Sequence, residues 1–235
     1  MEFMPLGNLS DLDKIQKISP QEMRLVLRQA IQALAYLHEQ KNITHRDIKP
    51  ENIPVRSRTP EIYIKLLDFG LSTQSNLLKT YCGTSHYAAA EIFTGSYTNS
   101  VDVWAIGIVC YQFIKGLPKH SKKLKAKDWS EKIRRTVERA DRQRNYPVIR
   151  LLKSMLELNA LDRPSAKSCL SHPWIQDVPL SLQSDMTPSN TLPRSLETIS
   201  EQSTEIWNPP THIGEDKWVP TALGESRKRL QILIP

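Results

Sequence analysis

Residues Ser100 to Ile114 read Ser-Val-Asp-Val-Trp-Ala-Ile-Gly-Ile-Val-Cys-Tyr-Gln-Phe-Ile, and Asp102 is the only charge among them. A helix that is apolar nearly all round has no face to offer water and belongs at the centre of a domain. The chain must therefore wrap other elements around this segment and supply donors to the Asp102 carboxylate, which is too costly to bury alone. The longest uncharged apolar run, Val103 to Tyr111, is far short of the roughly 20 residues that cross a bilayer, so no membrane helix is expected.

The elements that wrap it are also visible. Ser19-Pro-Gln-Glu22 has the form of a capping box, with proline at the first helical position, and predicts a helix start. Met23, Val26, Leu27, Ala30, Ile31, Leu34 and Leu37 recur at spacings of three and four, which predicts a core-facing helix ending near His38. Val55 and the run Ile62 to Leu67 read as short strands around a turn at Ser57 to Pro60. Weaker helical patterns cover Ser130 to Arg139, Val148 to Leu158 and Ala166 to Leu170. The expected fold is mainly helical with one small β-hairpin. Between the first helix and the hairpin lies His45-Arg-Asp-Ile-Lys-Pro-Glu-Asn-Ile53, a polar cluster held on a loop by a rigid helix. A polar turn would account for any one of its residues, but a second carboxylate, Asp68, follows the hairpin with Phe-Gly, and two such constellations suggest a site.

Cys82, Cys110 and Cys169 are odd in number, and Cys110 lies in the apolar segment, so a reducing compartment is expected rather than a disulfide framework. The start, Met-Glu-Phe-Met-Pro-Leu-Gly-Asn-Leu9, lacks the basic and apolar regions of a signal peptide, and an intracellular protein, cytoplasmic or nuclear, is expected. The net charge of +7 is concentrated in residues 115–144, where twelve Lys or Arg face four Asp or Glu. Such a run is either a solvated helix face or a surface for an acidic partner. It lacks the interleaved aromatics that stack bases, which argues against nucleic acid. From Asp177 onward, seven prolines and thirteen Ser or Thr fall in 59 residues without apolar periodicity, so residues 176–235 read as a Pro/Ser/Thr-rich tail. Trp207 and Trp218 are its candidate anchors.

The order of the motifs carries a resemblance. His45-Arg-Asp-Ile-Lys-Pro-Glu-Asn52, Asp68-Phe-Gly70, Cys82-Gly-Thr-Ser-His-Tyr-Ala-Ala-Ala-Glu91, Asp102-Val-Trp-Ala-Ile-Gly107 and Asp162-Arg-Pro164 together resemble the carboxy-terminal lobe of a eukaryotic protein kinase over about residues 1–175. The resemblance implies a protein-kinase-like fold of the α+β family, here mainly α, with a helical lobe, a small hairpin and no amino-terminal-lobe sheet. It also implies ATP and Mg²⁺ as cofactors and a protein substrate with a Ser or Thr acceptor. Asp47 would accept the hydroxyl proton and Lys49 would neutralise charge on the transferred group. Asn52 and Asp68 would hold Mg²⁺, for which oxygen ligands are suited. Glu51 and Pro54 would lie at the nucleotide site, Pro54 under the adenine.

By the same resemblance His45 would pack beneath Phe69 rather than titrate. Arg46 would grip a phosphorylated activation segment, with Thr80 as its partner. Glu91 would pair with Arg163, and Asp102 would cap the backbone of the His45 to Asp47 turn. Ile48-Lys49 with Gly83-Thr84 resembles the serine/threonine branch. Cys82-Gly-Thr and His172-Pro-Trp174 look most like its calcium/calmodulin-dependent and checkpoint-type group.

The sequence also departs from the pattern. Met1 to Leu9 resembles the hinge between kinase lobes, so the Gly-rich loop, the strand lysine and its helix glutamate are not in this polypeptide. Weak or no activity of the chain alone is expected, and a catalytically inactive kinase-like interaction module is the alternative reading. Ala90 and Ser85 stand where the family has prolines, and Pro54 stands where it has an aliphatic residue, which weakens a strand ladder at that point.

Overall fold

The computed structural model describes residues 4–67, 72–74, 86–95, 97–119, 125–143 and 146–176 of the 235-residue chain. The apolar segment forms α3 (Ser100–Lys115), and Val101 to Tyr111 are all buried. It packs against α2 (Pro20–Gln40) and α5 (Pro147–Met155). Gly107 makes this fit possible, because a Cβ there would come 3.1 Å from Leu156 Cδ2 and 3.3 Å from Met155 Cβ. The helix stops where Gly116 takes φ 78°, a conformation that favours glycine, and donates its N–H to the Gln112 carbonyl at 2.9 Å.

The capping box at the start of α2 is formed. Ser19 accepts the Glu22 N–H at 3.2 Å and Glu22 accepts the Ser19 N–H at 2.8 Å. The predicted stripe is buried from Met23 to Leu37, and the helix runs on to Gln40. A short α1 (Leu9–Ile15) precedes it, capped by Asn8, whose side chain accepts the Asp11 N–H at 3.0 Å. Its two buried leucines gave too little periodicity to reveal it. Beyond α3, α4 (Ala126–Gln143) begins earlier than its pattern suggested and buries Trp129, Ile133 and Val137. The helix expected from Val148 to Leu158 runs as α5 from Pro147 to Met155 only, and a separate 3-10 turn follows at Ala160–Asp162, capped by Asn159. α6 (Ala166–Leu170) and α7 (Pro173–Gln176) close the lobe over α2.

Among the described residues two antiparallel pairs complete the architecture. β1 (Ile43–Thr44) pairs with β4 (Thr73–Gln74), Ile43 opposite Gln74 and Thr44 opposite Thr73. The predicted hairpin forms from β2 (Val55–Ser57) and β3 (Tyr63–Ile64), with Val55 opposite Ile64, Ser57 opposite Tyr63 and an irregularity between them. Its second strand is shorter than the run Ile62 to Leu67 because Lys65 and Leu67 donate instead to Pro54 and Asn52 carbonyls, both at 3.0 Å. From α2, the buried Gln29 side chain donates to the Ile62 carbonyl at 2.8 Å and accepts the Ile64 N–H at 3.0 Å, serving the strand edge as a neighbouring strand would.

The hairpin tip is fixed by Arg58. Its guanidinium holds both oxygens of Glu22, at 2.5 and 3.0 Å, and the carbonyls of Gln16 and Lys17 at 3.1 and 2.9 Å. Burial alone would raise the Glu22 carboxyl, but Arg58 and the Ser19 amide outweigh it and hold the group below its ordinary value. Arg58→Ala is expected to lower stability by about 1–3 kcal/mol at neutral pH, read as a smaller urea midpoint. A depressed carboxylate stabilises above its unfolded pKa and stops doing so as pH falls through its folded one. The gap between the two proteins should therefore narrow below about pH 4. A gap that is constant from pH 7 to pH 3 would show that the Glu22 charge does not matter.

Candidate active site

The polar loop begins where α2 runs out. Lys41 is the helix cap and Asn42 takes φ 51°, the left-handed position that ends many helices. After β1 the chain reverses again at Arg46, φ 68°, which is uncommon for a residue with a side chain. Asp102 holds this turn in place. From the first helical turn of α3 it accepts the His45 N–H and the Arg46 N–H, each at 2.8 Å. Its third partner is His38 at the end of α2, 2.9 Å from Oδ2, and a carboxylate acceptor requires the His38 Nε2 to carry the proton. Burial would raise the Asp102 carboxyl, yet the hydrogen bond from His38 first, and the Arg46 amide with it, keep it below its ordinary value.

His45 is fully buried. Its Nε2 lies 3.0 Å from the Leu67 carbonyl and its Nδ1 lies 3.4 Å from the Asp47 N–H. Those partners require a neutral ring with the proton on Nε2. The histidine thus ties the loop to the strand exit that precedes Asp68.

Three candidate residues converge. Lys49 Nζ lies 2.6 Å from Asp47 Oδ2, and Asn52 Nδ2 donates to that oxygen and to the Asp47 carbonyl, both at 2.9 Å. A 3-10 turn, Pro50–Asn52, supplies the spacing by swinging Asn52 back over Asp47. With Nδ2 spent on Asp47, Asn52 has its Oδ1 to offer, a hard oxygen of the kind Mg²⁺ takes. Among the described residues no cluster of three or more His, Cys, Asp or Glu stands ready for a metal. Asp68, the other expected ligand, lies outside the described residues, as do Phe69, Thr80 and Thr84.

An open cleft of about 570 Å³ borders Lys49 and the exposed Glu51 and is walled by His86, Tyr87, Gln112 and Leu117. Tyr87 donates to Gln112 Oε1 at 2.9 Å. Burial first, and the Glu51 charge second, push its phenol up to about 12, so it stays a donor at any physiological pH. Pro54 is buried next to the strand β2; it forms an isolated bridge with Asn8, and its carbonyl takes the Lys65 N–H.

Arg46 Nη1 lies 3.5 Å from the Tyr97 hydroxyl, and its Nε is buried with no hydrogen-bond partner. Arg163 holds Glu91 through Nη1 and, at 3.1 Å, through Nη2. The same guanidinium donates to the carbonyls of Glu157 at 2.7 Å, Leu158 at 3.3 Å and Ser100 at 3.4 Å, and it lies 4.9 Å from the centre of the Trp104 ring. From the other side, Trp129 of α4 donates to the His86 carbonyl at 2.9 Å. The sequence reading missed His38, Trp129 and Gln29. His38 left a signal, because it continues the face of Leu34 and Leu37 where an apolar residue would be expected.

The protein kinase domain profile matches residues 1–175. Over 213 residues the chain is 32% identical to the DNA damage response protein kinase DUN1 of Saccharomyces cerevisiae, covering 76% of this chain and 40% of that protein. It is 33% identical over 193 residues to the serine/threonine-protein kinase cds1 of Schizosaccharomyces pombe, covering 76% and 41%. It is 31% identical over 163 residues to calcium-dependent protein kinase 4 of Plasmodium falciparum, covering 64% and 30%. The chain thus spans less than half the length of these relatives. The loop that gathers an aspartate, a lysine and an asparagine beside a cleft, and the buried helix whose carboxylate anchors it, both lie within the residues that the protein kinase domain profile matches. The chain belongs to the protein kinase domain family, among the serine/threonine kinases that include checkpoint and calcium-dependent types.

Proposed function

We propose that this chain carries the catalytic loop for transfer of the γ-phosphoryl group of ATP to a serine or threonine hydroxyl of a protein. The observation that carries the reading is the Asp47 carboxylate, held by Lys49 and Asn52 at the edge of an open cleft. In the transfer, the acceptor oxygen bonds to the γ-phosphorus, the bond to the bridging β-oxygen breaks, ADP leaves, and the hydroxyl proton passes to Asp47. Asn52 keeps the Asp47 oxygen aimed by donating to it. Lys49, 2.6 Å from that oxygen, supplies positive charge where the phosphoryl oxygens gather it. Mg²⁺, when held by Asn52 Oδ1 and Asp68, supplies neutralisation of the phosphate charge. Arg46 would take a phosphate on Thr80, since its guanidinium keeps an unpartnered buried Nε and a fork suited to phosphate oxygens.

The basic segment 115–144 gives a surface for an acidic region of a substrate or partner. Within it Arg134 is occupied by Glu138 and Glu157, and Arg135 by Glu131, so the surface offers less charge than the count of cations suggests. Among the described residues no helix is long and apolar enough to cross a membrane.

The test uses a protein that contains this chain together with a nucleotide-binding lobe, and peptides whose single acceptor is Ser, Thr or Tyr. Phosphate from labelled ATP should appear on the Ser and Thr peptides and disappear on chelation of divalent metal. Incorporation on Tyr alone, or incorporation that survives chelation, would contradict the assignment. No incorporation at all would leave the interaction-module reading in its place.

A further inference from the structure

Helix α4 shows the surface almost a single sign of charge. Its fully exposed residues are five cations, one anion, Asp128, and one glutamine, with no apolar side chain among them. Lys132, Arg135, Arg139 and Arg142 recur at spacings of three, four and three, which aligns them in one ridge about 15 Å long, opposite the buried Trp129, Ile133 and Val137. The other carboxylates of the helix are half-buried and engaged. Glu138 is taken by Arg134 at 2.9 Å and Asp141 by Lys153 at 3.0 Å. Glu131 meets Arg135 at 3.0 Å, but that arginine side chain is 75% exposed, and so open a pair exchanges readily for another carboxylate. Like charges one turn apart weaken a helix, so the ridge gains from an anion laid along it.

The ridge begins at the cleft. Lys132 Nζ donates to the Lys119 carbonyl at 2.8 Å, two residues beyond Leu117, and Trp129 of the same helix donates to the His86 carbonyl at 2.9 Å. Leu117 and His86 both wall the cleft that Lys49 borders. We propose that Lys132, Arg135, Arg139 and Arg142 dock an acidic stretch of the protein that receives the phosphate, so that the site takes substrates with Asp or Glu clustered on one flank of the acceptor. This rests on the reading of Asp47 as the carboxylate that faces the acceptor, and adds which substrates reach it. An extended chain covers about 15 Å in about five residues, with alternate side chains on one side about 7 Å apart, so three acidic residues at alternate positions match the ridge. Two other anionic partners fit less well. A lipid surface needs apolar side chains on the exposed side of the helix to insert, and α4 has none there. Single-stranded nucleic acid needs exposed aromatic rings to stack on, and the tryptophan of this helix, Trp129, is buried.

The experiment reads binding to the full 235-residue chain and no phosphate transfer, so its failure and that of the catalytic assignment are distinguishable. The probe is a fluorescent peptide with one serine, a flexible spacer of about ten residues, which reaches about 30 Å, and the sequence Glu-Gln-Glu-Gln-Glu. Its anisotropy should report binding that weakens about tenfold in the combined variant Arg135→Glu, Arg139→Glu and Arg142→Glu. Replacing the glutamates of the peptide by glutamine should weaken binding to the native protein by about the same factor. The combined variant Lys14→Glu, Lys17→Glu and Lys41→Glu alters net charge equally at exposed positions elsewhere, and should bind within about twofold of the native protein. A photo-crosslinking residue in place of the serine should label the cleft walls at His86, Tyr87 and Leu117. The glutamine peptide is measured on the native protein, so the proposal can be refuted even where a variant folds poorly. Equal loss in both combined variants would reduce the effect to net charge, and crosslinks away from the cleft would separate the ridge from the substrate. Tighter ridge-dependent binding of duplex DNA or of phosphatidylserine vesicles would give the ridge another partner. Each of these outcomes, or the absence of binding, would overturn the proposal.

Discussion

Asp47→Asn is expected to lower phosphate transfer from ATP by about 10²–10⁴-fold in any form of the protein that performs it. Asparagine has the shape of aspartate, and its amide oxygen still accepts from Asn52 and Lys49, so the loop keeps its geometry. What it loses is the capacity to take a proton from the attacking hydroxyl and the negative charge that Lys49 faces at 2.6 Å. The loss should therefore fall on kcat, with the KM for peptide little changed and thermal stability within about 1 kcal/mol of the native protein. Equal activity in the variant would remove Asp47 from the chemistry. A large fall in stability with no separate effect on kcat would make it a structural residue.

Asp102→Ala should be the most destabilising single change, about 3–5 kcal/mol, because it strands three donors at once in a buried site. His45 and Arg46 would keep their N–H groups turned inward with nothing to accept them, and Arg46 would still be asked to hold φ 68°. His38 would lose the partner of its Nε2. Asp102→Asn should recover only part of the loss, since one of its two terminal atoms becomes a donor and faces another donor. The pH dependence follows from the depressed carboxyl: its contribution is complete above the ordinary Asp value of 3.8 and fades as pH falls below it. Urea unfolding at pH 7 and pH 3 measures both effects, and an alanine variant as stable as the native chain at pH 7 would refute the account.

The sequence spoke most clearly where one residue type had a single physical use. The capping box at Ser19, the stripe from Met23 to Leu37 and the apolar segment around Asp102 each appear as expected, because local bonding and burial determine them. The hairpin was legible in existence but not in length, since its second strand yields to the Pro54 and Asn52 carbonyls. α1 and α7 were too short for periodicity to show. In the candidate site, the meeting of Asp47, Lys49 and Asn52 follows from their closeness in sequence and the Pro50 turn. Gln29, His38 and Trp129 are different: each acts on a segment more than thirty residues away, and nothing local to them announces the partner.

The way the segment at Ala90 is held explains how this chain can do without a proline there. Residues 86–91 are gripped at their two ends by side chains, Trp129 on the His86 carbonyl and Arg163 on Glu91. Arg163 uses every arm of its guanidinium on Glu91 and the carbonyls of Glu157, Leu158 and Ser100, so it is itself fixed. A segment located by its ends does not need a stiff residue in its middle. The stiffness that a proline would supply from inside the segment is thus supplied from outside it, by Trp129 and Arg163, residues of distant sequence whose own neighbourhoods give no hint of the part they play.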